Sequence, residues 1–249
     1  MENYQIDPTI AYDVVELPSK GIFYTNGRKS LRIAYLTAAD ENILISPNLL
    51  QSDTVIDELL KRKILDRDVN IDELVNEDRQ AILIFLRNTA FGTEYVLEMI
   101  DPKTNEKFNF KIDLSVLKVK DFTLTPDSNG EYSYHMGVSK KNVTFKFLNN
   151  TQEKEIDKIR DGGSTTMVAP VTTKRLEMMI KSVEGIRDQM SIYQFIQNLP
   201  IKDSQDFRKF ANENKPGIDL SVEVTAPSGE KVKGYIDFGV EFFRPFYGV

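Results

Sequence analysis

Two stretches of the chain carry helix and hairpin signals at the same spacing, and this repeat constrains the fold more than any other feature. Asp78 precedes the turn residue Pro102 by 24 residues, and Asp203 precedes Pro227 by the same number. Beyond each turn, matching residues recur at an offset of 124: Glu106-Lys107 with Glu230-Lys231, and Ile112-Asp113 with Ile236-Asp237. Spacing kept through helix, strand, turn and strand predicts an internal duplication. A loose alignment of two unrelated helix-and-hairpin pairs is the alternative.

The first repeated unit is predicted over residues 21–126. A turn at Asn26-Gly27 separates an apolar stretch from an alternating one, which is typical of a hairpin. Helical stripes follow, and the third helix starts at Asn76 and stops at Gly92. The predicted elements are the hairpin strands 22–24 and 31–35, helices over 38–45, 55–64 and 76–91, and strands over 94–101 and 106–114.

The second unit is predicted over residues 127–249, after the turn-rich sequence Asp127-Ser128-Asn129-Gly130. It repeats the same order: an alternating strand, a helical stripe from Leu176 to Val183, a helix opened by Asp203 and a closing hairpin. A polar, glycine-rich insertion occupies 161–173, and an aromatic tail ends the unit. The predicted fold is therefore α+β, with two related helix-plus-β-hairpin units behind an extended N-terminal arm over residues 1–20.

Composition excludes several classes of function. The 249 residues contain 41% hydrophobic residues, enough to bury a core, and carry a net charge of -6, which argues against broad electrostatic binding to nucleic acid. There is no cysteine and one histidine, so disulfides, thiolate zinc sites and cysteine nucleophiles are excluded. The N-terminal residues do not read as a signal peptide, and no apolar run is long enough for a membrane helix.

Three features that could carry chemistry are interpreted as structural. His135 stands in an alternating run without a nucleophile or a metal set, so it reads as a strand or surface residue. The acids between Asp66 and Asp78 lack a calcium-loop pattern and fall where helices start, so capping is the better interpretation. The glycines and hydroxyls of 161–166 fit no phosphate-binding motif. We therefore predict no catalytic residue, no cofactor and no metal.

Both ends of the chain are candidates for contact with other proteins. The C-terminus concentrates aromatic residues and an arginine, which are typical interface anchors, although they could equally cover the core of the second unit. The N-terminal arm is too apolar for a plain solvated tail, and it could add to a neighbour's sheet edge or pack on its own domain. The candidate interface residues are Tyr4, Ile6, Ile10, Tyr12, Val14, Phe242, Phe243, Arg244, Phe246 and Tyr247.

Short motifs in a fixed order resemble a known protein family. They are Leu17-Pro18-Ser19-Lys20-Gly21-Ile22-Phe23-Tyr24, Leu36-Thr37-Ala38-Ala39-Asp40-Glu41, Asp78-Arg79, Leu86-Arg87, Phe91-Gly92, Glu94-Tyr95 and Ile112-Asp113-Leu114. In this order they resemble the T4-type baseplate protein family of contractile-tailed phages, over residues 16 to 118. The second half, with Asp203, Phe207-Arg208, Asp219-Leu220 and Phe242-Phe243-Arg244-Pro245, is similar to longer members. Where members carry a Cys-x-x-Cys pair at the hairpin turn, this chain has Asp101-Pro102-Lys103-Thr104 and Ala226-Pro227-Ser228-Gly229, so no zinc is carried over.

The resemblance implies a non-enzymatic structural component of the tail baseplate, in its hub region, that acts by protein–protein recognition during tail assembly. Its partners would be other baseplate or tail proteins, without nucleic acid, membrane or small-molecule substrate. It would be present in the host cytoplasm during assembly and then in the virion. The alternative is a transient assembly chaperone for a hub or tape-measure protein, absent from the mature particle.

Overall fold

The computed structural model describes residues 9–24, 26–44, 55–162, 170–236, 238 and 240–243. Within them the fold is α+β, built from helices and small antiparallel sheets, as predicted. The strands are β1 (Tyr12–Glu16), β2 (Ser30–Ala34), β3 (Glu94–Ile100), β4 (Lys107–Asp113), β5 (Tyr132–His135), β6 (Asn142–Phe145), β7 (Ile180–Val183), β8 (Ser221–Thr225) and β9 (Lys231–Tyr235). The α-helices are α1 (Ala38–Leu44), α2 (Val55–Lys63), α3 (Asn76–Phe91), α4 (Asn150–Asp161), α5 (Val171–Met179), α6 (Gln189–Gln197) and α7 (Ile201–Asn214).

The chain forms two compact units, and each is interrupted in sequence. Unit 1 takes the described residues of Met1–Ile71, Glu77–Lys120 and Gly217–Val249, and unit 2 takes those of Asp72–Asn76 and Asp121–Pro216. These units do not follow the predicted boundary near residues 127–130, because β8 and β9 belong to unit 1 rather than to the second half. The duplication itself stays a prediction, because no observation here confirms it.

Unit 1 is organised around α3, which is buried on almost all sides, as its apolar run from Ala81 to Leu86 predicts. The antiparallel pair β1–β2 supplies Val15, Leu31 and Ile33 to the same core, since alternate residues of a strand share one face. Gly92, with φ +81°, ends α3 in a conformation that glycine adopts without steric cost. Residues exposed by 2% or less in this unit include Leu31, Ile33, Val55, Leu59, Leu60, Ile82, Leu86, Leu114, Phe242 and Phe243.

The strand that pairs with β2 differs from the sequence prediction. The spacing predicted 22–24 as its partner, but the partner is β1, and residues 18–23 form turns. Lys20 and Gly21 both have positive φ, at +51° and +80°, so the backbone cannot continue as an extended strand through this point. Gly21 is required there, because a Cβ at this position would lie 2.4 Å from the carbonyl oxygen of Gly27.

Two hairpins complete unit 1. β3 pairs with β4 and β8 pairs with β9, close to the bounds that their turns predict. The hairpins contact one another: Ser228 at the second turn donates from its amide and its hydroxyl to Asp101 at the first, at 2.9 and 2.7 Å. Gly234 of β9 has no room for a Cβ, which would lie 2.8 Å from Cε of Met99. This packing of β9 against β3 explains why the closing hairpin leaves the second half of the sequence.

Unit 2 combines the three-stranded sheet β5–β6–β7 with helices α4 to α7. Its core is aromatic: Phe145 of β6 meets Phe207 of α7 with ring centroids 5.2 Å apart, and both side chains are fully buried. The stripe from Leu176 to Val183, predicted as one helix, is helix only as far as Met179. From Ile180 the chain becomes β7, because pairing with β6 satisfies its backbone groups.

Candidate interaction surfaces

The apolar residues of the N-terminal segment form part of unit 1 and leave one face exposed. Tyr4 and Ile6 lie outside the described residues. Ile10, Tyr12 and Val14 are 39%, 41% and 58% exposed, whereas Val15 is buried. Residues 12–16 therefore pack on their own domain, which was the open alternative to addition to a neighbour's sheet edge, yet they keep an apolar outer face.

β1 is an edge strand, and half of its backbone groups point away from the sheet. Tyr35 donates to the carbonyl of Ala11, and Leu17 donates to that of Lys29, so the odd-numbered residues bond to β2. The N–H and C=O groups of Tyr12, Val14 and Glu16 consequently face outward. Within the described ranges no other strand pairs with β1, while β2 is covered on its far side by the Ile33–Ile64 bridge.

At the C-terminal end, the described aromatic residues follow the alternative of core burial that the sequence left open, although in unit 1 and not in the second half. Phe242 and Phe243 are 1% and 0% exposed, so they belong to the core of unit 1 and are not available to a partner. The Phe242 ring lies 5.2 Å from that of Tyr95 and 4.8 Å from that of Phe238. Arg244, Phe246 and Tyr247 lie outside the described residues, so their interface role stays a prediction.

Arg87 of α3 holds this C-terminal segment from inside the core. It is 1% exposed, and its guanidinium donates to the carbonyls of Phe242, Gly92 and Glu94, at 3.1, 2.6 and 2.8 Å. Burial lowers the pKa of Arg87 from its ordinary value. Its guanidinium carbon also lies 5.0 Å from the centre of the Tyr95 ring. Sequence reasoning missed this role, although a charged residue directly after the apolar run of α3 was the available signal.

In both units an aspartate in the first turn of a long helix accepts hydrogen bonds from a strand-connecting turn. In the first turn–helix contact, Asp78 accepts from the amide and hydroxyl of Ser19, at 2.9 and 2.5 Å, and from the hydroxyl of Tyr24, at 2.6 Å. Burial raises the pKa of Asp78, and the hydrogen bonds lower it by a smaller amount, so the net shift is upward. The carboxylate at this position therefore fixes the chain after β1 to α3.

The second turn–helix contact has the same acid at the corresponding helix position but different donors. Asp203 of α7 accepts from the amides of Val138 and Ser139, both at 2.8 Å. Burial by itself would raise the pKa of Asp203, but the hydrogen bonds to its charged form outweigh burial and lower it. Both aspartates are 0% exposed.

The remaining titratable candidates have structural partners. His135 is exposed, and its Nδ1 lies 2.9 Å from Oδ1 of Asn142 on the neighbouring strand. Asp66, expected to cap a helix, is instead bonded by the amide and guanidinium of Arg32, at 2.7 to 2.9 Å. No group of three potential metal ligands occurs in the part of the chain that the structure describes.

Comparison with known proteins identifies the family. Among the residues described, no helix combines the length and the apolar character needed to cross a bilayer. No curated protein and no solved structure matches the chain significantly. A family model does match, that of the T4 bacteriophage base plate protein, and the match extends over residues 10–244, nearly the whole chain. This protein therefore belongs to the T4 bacteriophage base plate protein family.

Proposed function

We propose that the protein is a non-enzymatic structural component of the hub region of a phage tail baseplate, and that it binds neighbouring subunits through the exposed edge of β1. Its family gives it a structural role in the phage tail and contacts with other tail proteins. The finer proposal includes assembly in the host cytoplasm and retention in the virion. The observation that carries it is the combination of a strand edge with which no other described strand pairs and exposed apolar side chains at Ile10, Tyr12 and Val14.

A strand edge of this kind favours a protein partner. Unpaired backbone groups on an edge recruit other strands, and proteins usually protect such edges with charges, bulges or prolines. β1 has acids at Asp13 and Glu16, but its central outward residue is Val14, the most exposed of the three apolar residues. A partner strand added here would satisfy the outward N–H and C=O groups and cover Tyr12 and Val14 together.

The experiment uses phage that lacks this gene, complemented by plasmid-borne variants of the full chain. Val14→Lys places a charge at the centre of the exposed edge, and we expect it to reduce incorporation into purified particles by at least about tenfold. Val96→Lys is the matched control, because Val96 is also an exposed strand valine of unit 1, at 46%. Quantitative mass spectrometry of the particles measures incorporation, and circular dichroism of the purified variants checks folding.

Each outcome decides between the candidate roles. Normal incorporation of a folded Val14→Lys variant would show that β1 is not the interface. If the wild-type protein is present in infected-cell lysate but absent from particles, the protein is a transient assembly chaperone and not a structural component. A fixed ratio of the wild-type protein to a tail protein of known copy number supports the structural role.

A further inference from the structure

Helix α6 of unit 2 has an unusual surface for this chain. Its nine residues carry no charge, although 28% of the whole sequence is charged. Ile192 and Ile196 face the core, while Met190 and Tyr193 on the outer side are 62% and 46% exposed. Exposed methionine and tyrosine on a helix that carries no charge of its own are characteristic of the central part of protein interfaces.

A cleft of about 430 Å³ lies beside α6 and extends to α5 and β7. Its apolar lining comes from Met178, Ile180, Ile192 and Tyr193. The charged and polar residues that line it are Lys174, Glu177, Lys181, Arg187 and Gln189. The volume is within the range of clefts that accommodate a few side chains of a ligand, and the lining offers it both apolar contact and positive charge.

The three cations of the lining differ in how they are neutralised. Arg187 forms a two-bond ion pair with Glu131, at 2.8 and 3.0 Å, and Nζ of Lys174 lies 3.4 Å from Glu155. Lys181 donates to the carbonyl of Met178 at 2.7 Å, and in the described part of the chain no carboxylate pairs with it.

Lys181 also lies in an environment that disfavours its charge. Burial lowers the pKa of Lys181, repulsion from Lys146, which directly follows β6, lowers it further, and attraction from Glu131 offsets these two effects only in part. A carboxylate in the cleft would offset both effects, because an opposite charge within a few ångströms stabilises the ammonium. Although Glu177 also lines the cleft, none of the described carboxylates forms an ion pair with Lys181, and apolar surface is exposed at Tyr193 in the lining and at Met190 beside it.

We propose that this cleft binds a short segment of another tail protein, with an apolar side chain against Met178, Ile192 and Tyr193 and a carboxylate at Lys181. The inference deepens the proposed function, since it rests on the protein acting by recognition of other tail proteins. It assigns a second surface, in unit 2, and the chemistry of its partner: an apolar segment that carries aspartate or glutamate.

The test uses the full chain with ¹³C-methyl-labelled methionine and two peptide pools. The acidic pool contains N-acetylated tetrapeptides with Asp or Glu among Leu, Ile, Met, Phe and Tyr, and the amide pool replaces each acid by Asn or Gln. We expect the acidic pool to shift the Met178 methyl signal saturably and to bind about tenfold more tightly than the amide pool. The buried Met136 provides a reference signal in the same unit.

Two variants locate the effect. Lys181→Gln should remove the preference for the acidic pool, whereas Lys202→Gln, which removes an exposed lysine paired with Asp206, should leave the preference unchanged. Equal binding of both pools, no shift of Met178 with either pool, or unchanged selectivity in a folded Lys181→Gln variant would overturn the proposal. These readouts are independent of particle incorporation, so failure here leaves the β1 interface standing, and failure of Val14→Lys leaves the cleft standing.

Discussion

The two turn–helix contacts place an aspartate at the same helix position but shift its pKa in opposite directions. Asp78 and Asp203 are both the third residue of their helices and both fully buried. Ser19 and Ser139 supply a turn amide in each contact, and each is followed by a lysine with positive φ, Lys20 at +51° and Lys140 at +57°. Nevertheless the pKa of Asp78 is raised and that of Asp203 is lowered.

Burial raises the pKa of both acids, and the hydrogen bonds reverse that shift at Asp203 but not at Asp78. The donors with the shortest bonds to the two acids also differ in kind. Two of the three donors to Asp78 are hydroxyls, which can also accept and so can adapt to a protonated carboxyl. The two bonds to Asp203 at 2.8 Å come from backbone amides, one to each carboxylate oxygen. Because an amide N–H can only donate, a proton on either oxygen would displace one of these bonds. A helix position that looks equivalent in sequence thus meets an amide and two hydroxyls in unit 1 and two backbone amides in unit 2.

The largest expected effect concerns the residue after each lysine. Gly21→Ala should destabilise unit 1 by on the order of 3 kcal/mol, because alanine is strained at φ +80° and its Cβ would meet the Gly27 carbonyl. Lys141→Ala, at the corresponding place in unit 2, should change the free energy of unfolding by about 0.5 kcal/mol or less. Urea unfolding followed by circular dichroism measures both. Equal effects would mean that the two turns carry the same backbone constraint.

The second prediction replaces each acid by its amide. Asp203→Asn should cost about 1–3 kcal/mol, because either orientation of the amide directs its NH₂ group at a backbone N–H of Val138 or Ser139. Asp78→Asn should cost less than about 1 kcal/mol, because the NH₂ group can donate to the hydroxyls of Ser19 and Tyr24. Free energies of unfolding measured at neutral pH test the order, and a larger cost at Asp78 would contradict it.

The smallest expected effect is on the pH dependence of the free energy of unfolding. The two acids should contribute to it with opposite signs. The pKa of Asp78 is raised above 3.8, so the folded state binds its proton more tightly, and stability gained from this group grows as pH falls towards 3.8. The pKa of Asp203 is lowered, so its contribution is present above 3.8 and is lost as pH falls through the folded pKa. The free energy of unfolding of the wild type minus that of Asp78→Asn should therefore rise as the pH falls. The same difference for Asp203→Asn should decrease.

Unfolding free energies from neutral pH to about pH 3 measure this comparison, and the two amide variants serve as controls for one another. Parallel pH profiles for the two difference curves would show that the donors do not separate the behaviour of the acids. The expectation that hydroxyl donors accommodate a protonated carboxyl better than amide donors would then be abandoned. This holds even if the two amide variants lose different amounts of unfolding free energy at neutral pH.

The secondary structure that local signals specify was predictable. The turns at Pro102 and Pro227 and the stop at Gly92 determine helix and strand limits through the backbone preferences of a few residues. The exposed Ile10, Tyr12 and Val14 were also identified from the sequence, because apolar residues in an N-terminal stretch stand out without knowledge of the fold. The burial of Phe242 and Phe243 was left open, since aromatic residues are equally at home in cores and interfaces.

The sequence by itself determined the α+β class, the repeated spacing, the absence of thiol chemistry and the resemblance to the baseplate family, because each depends on residue type and order alone. Only the tertiary structure decided the partner of β2, the place of β8 and β9 in unit 1, the burial of Arg87 and the cleft beside α6. These features depend on contacts between residues far apart in the chain, such as Ser19 with Asp78 and Asp101 with Ser228. Local propensity and periodicity carry no information about such pairs, because the energy of each contact exists only once both partners are in place.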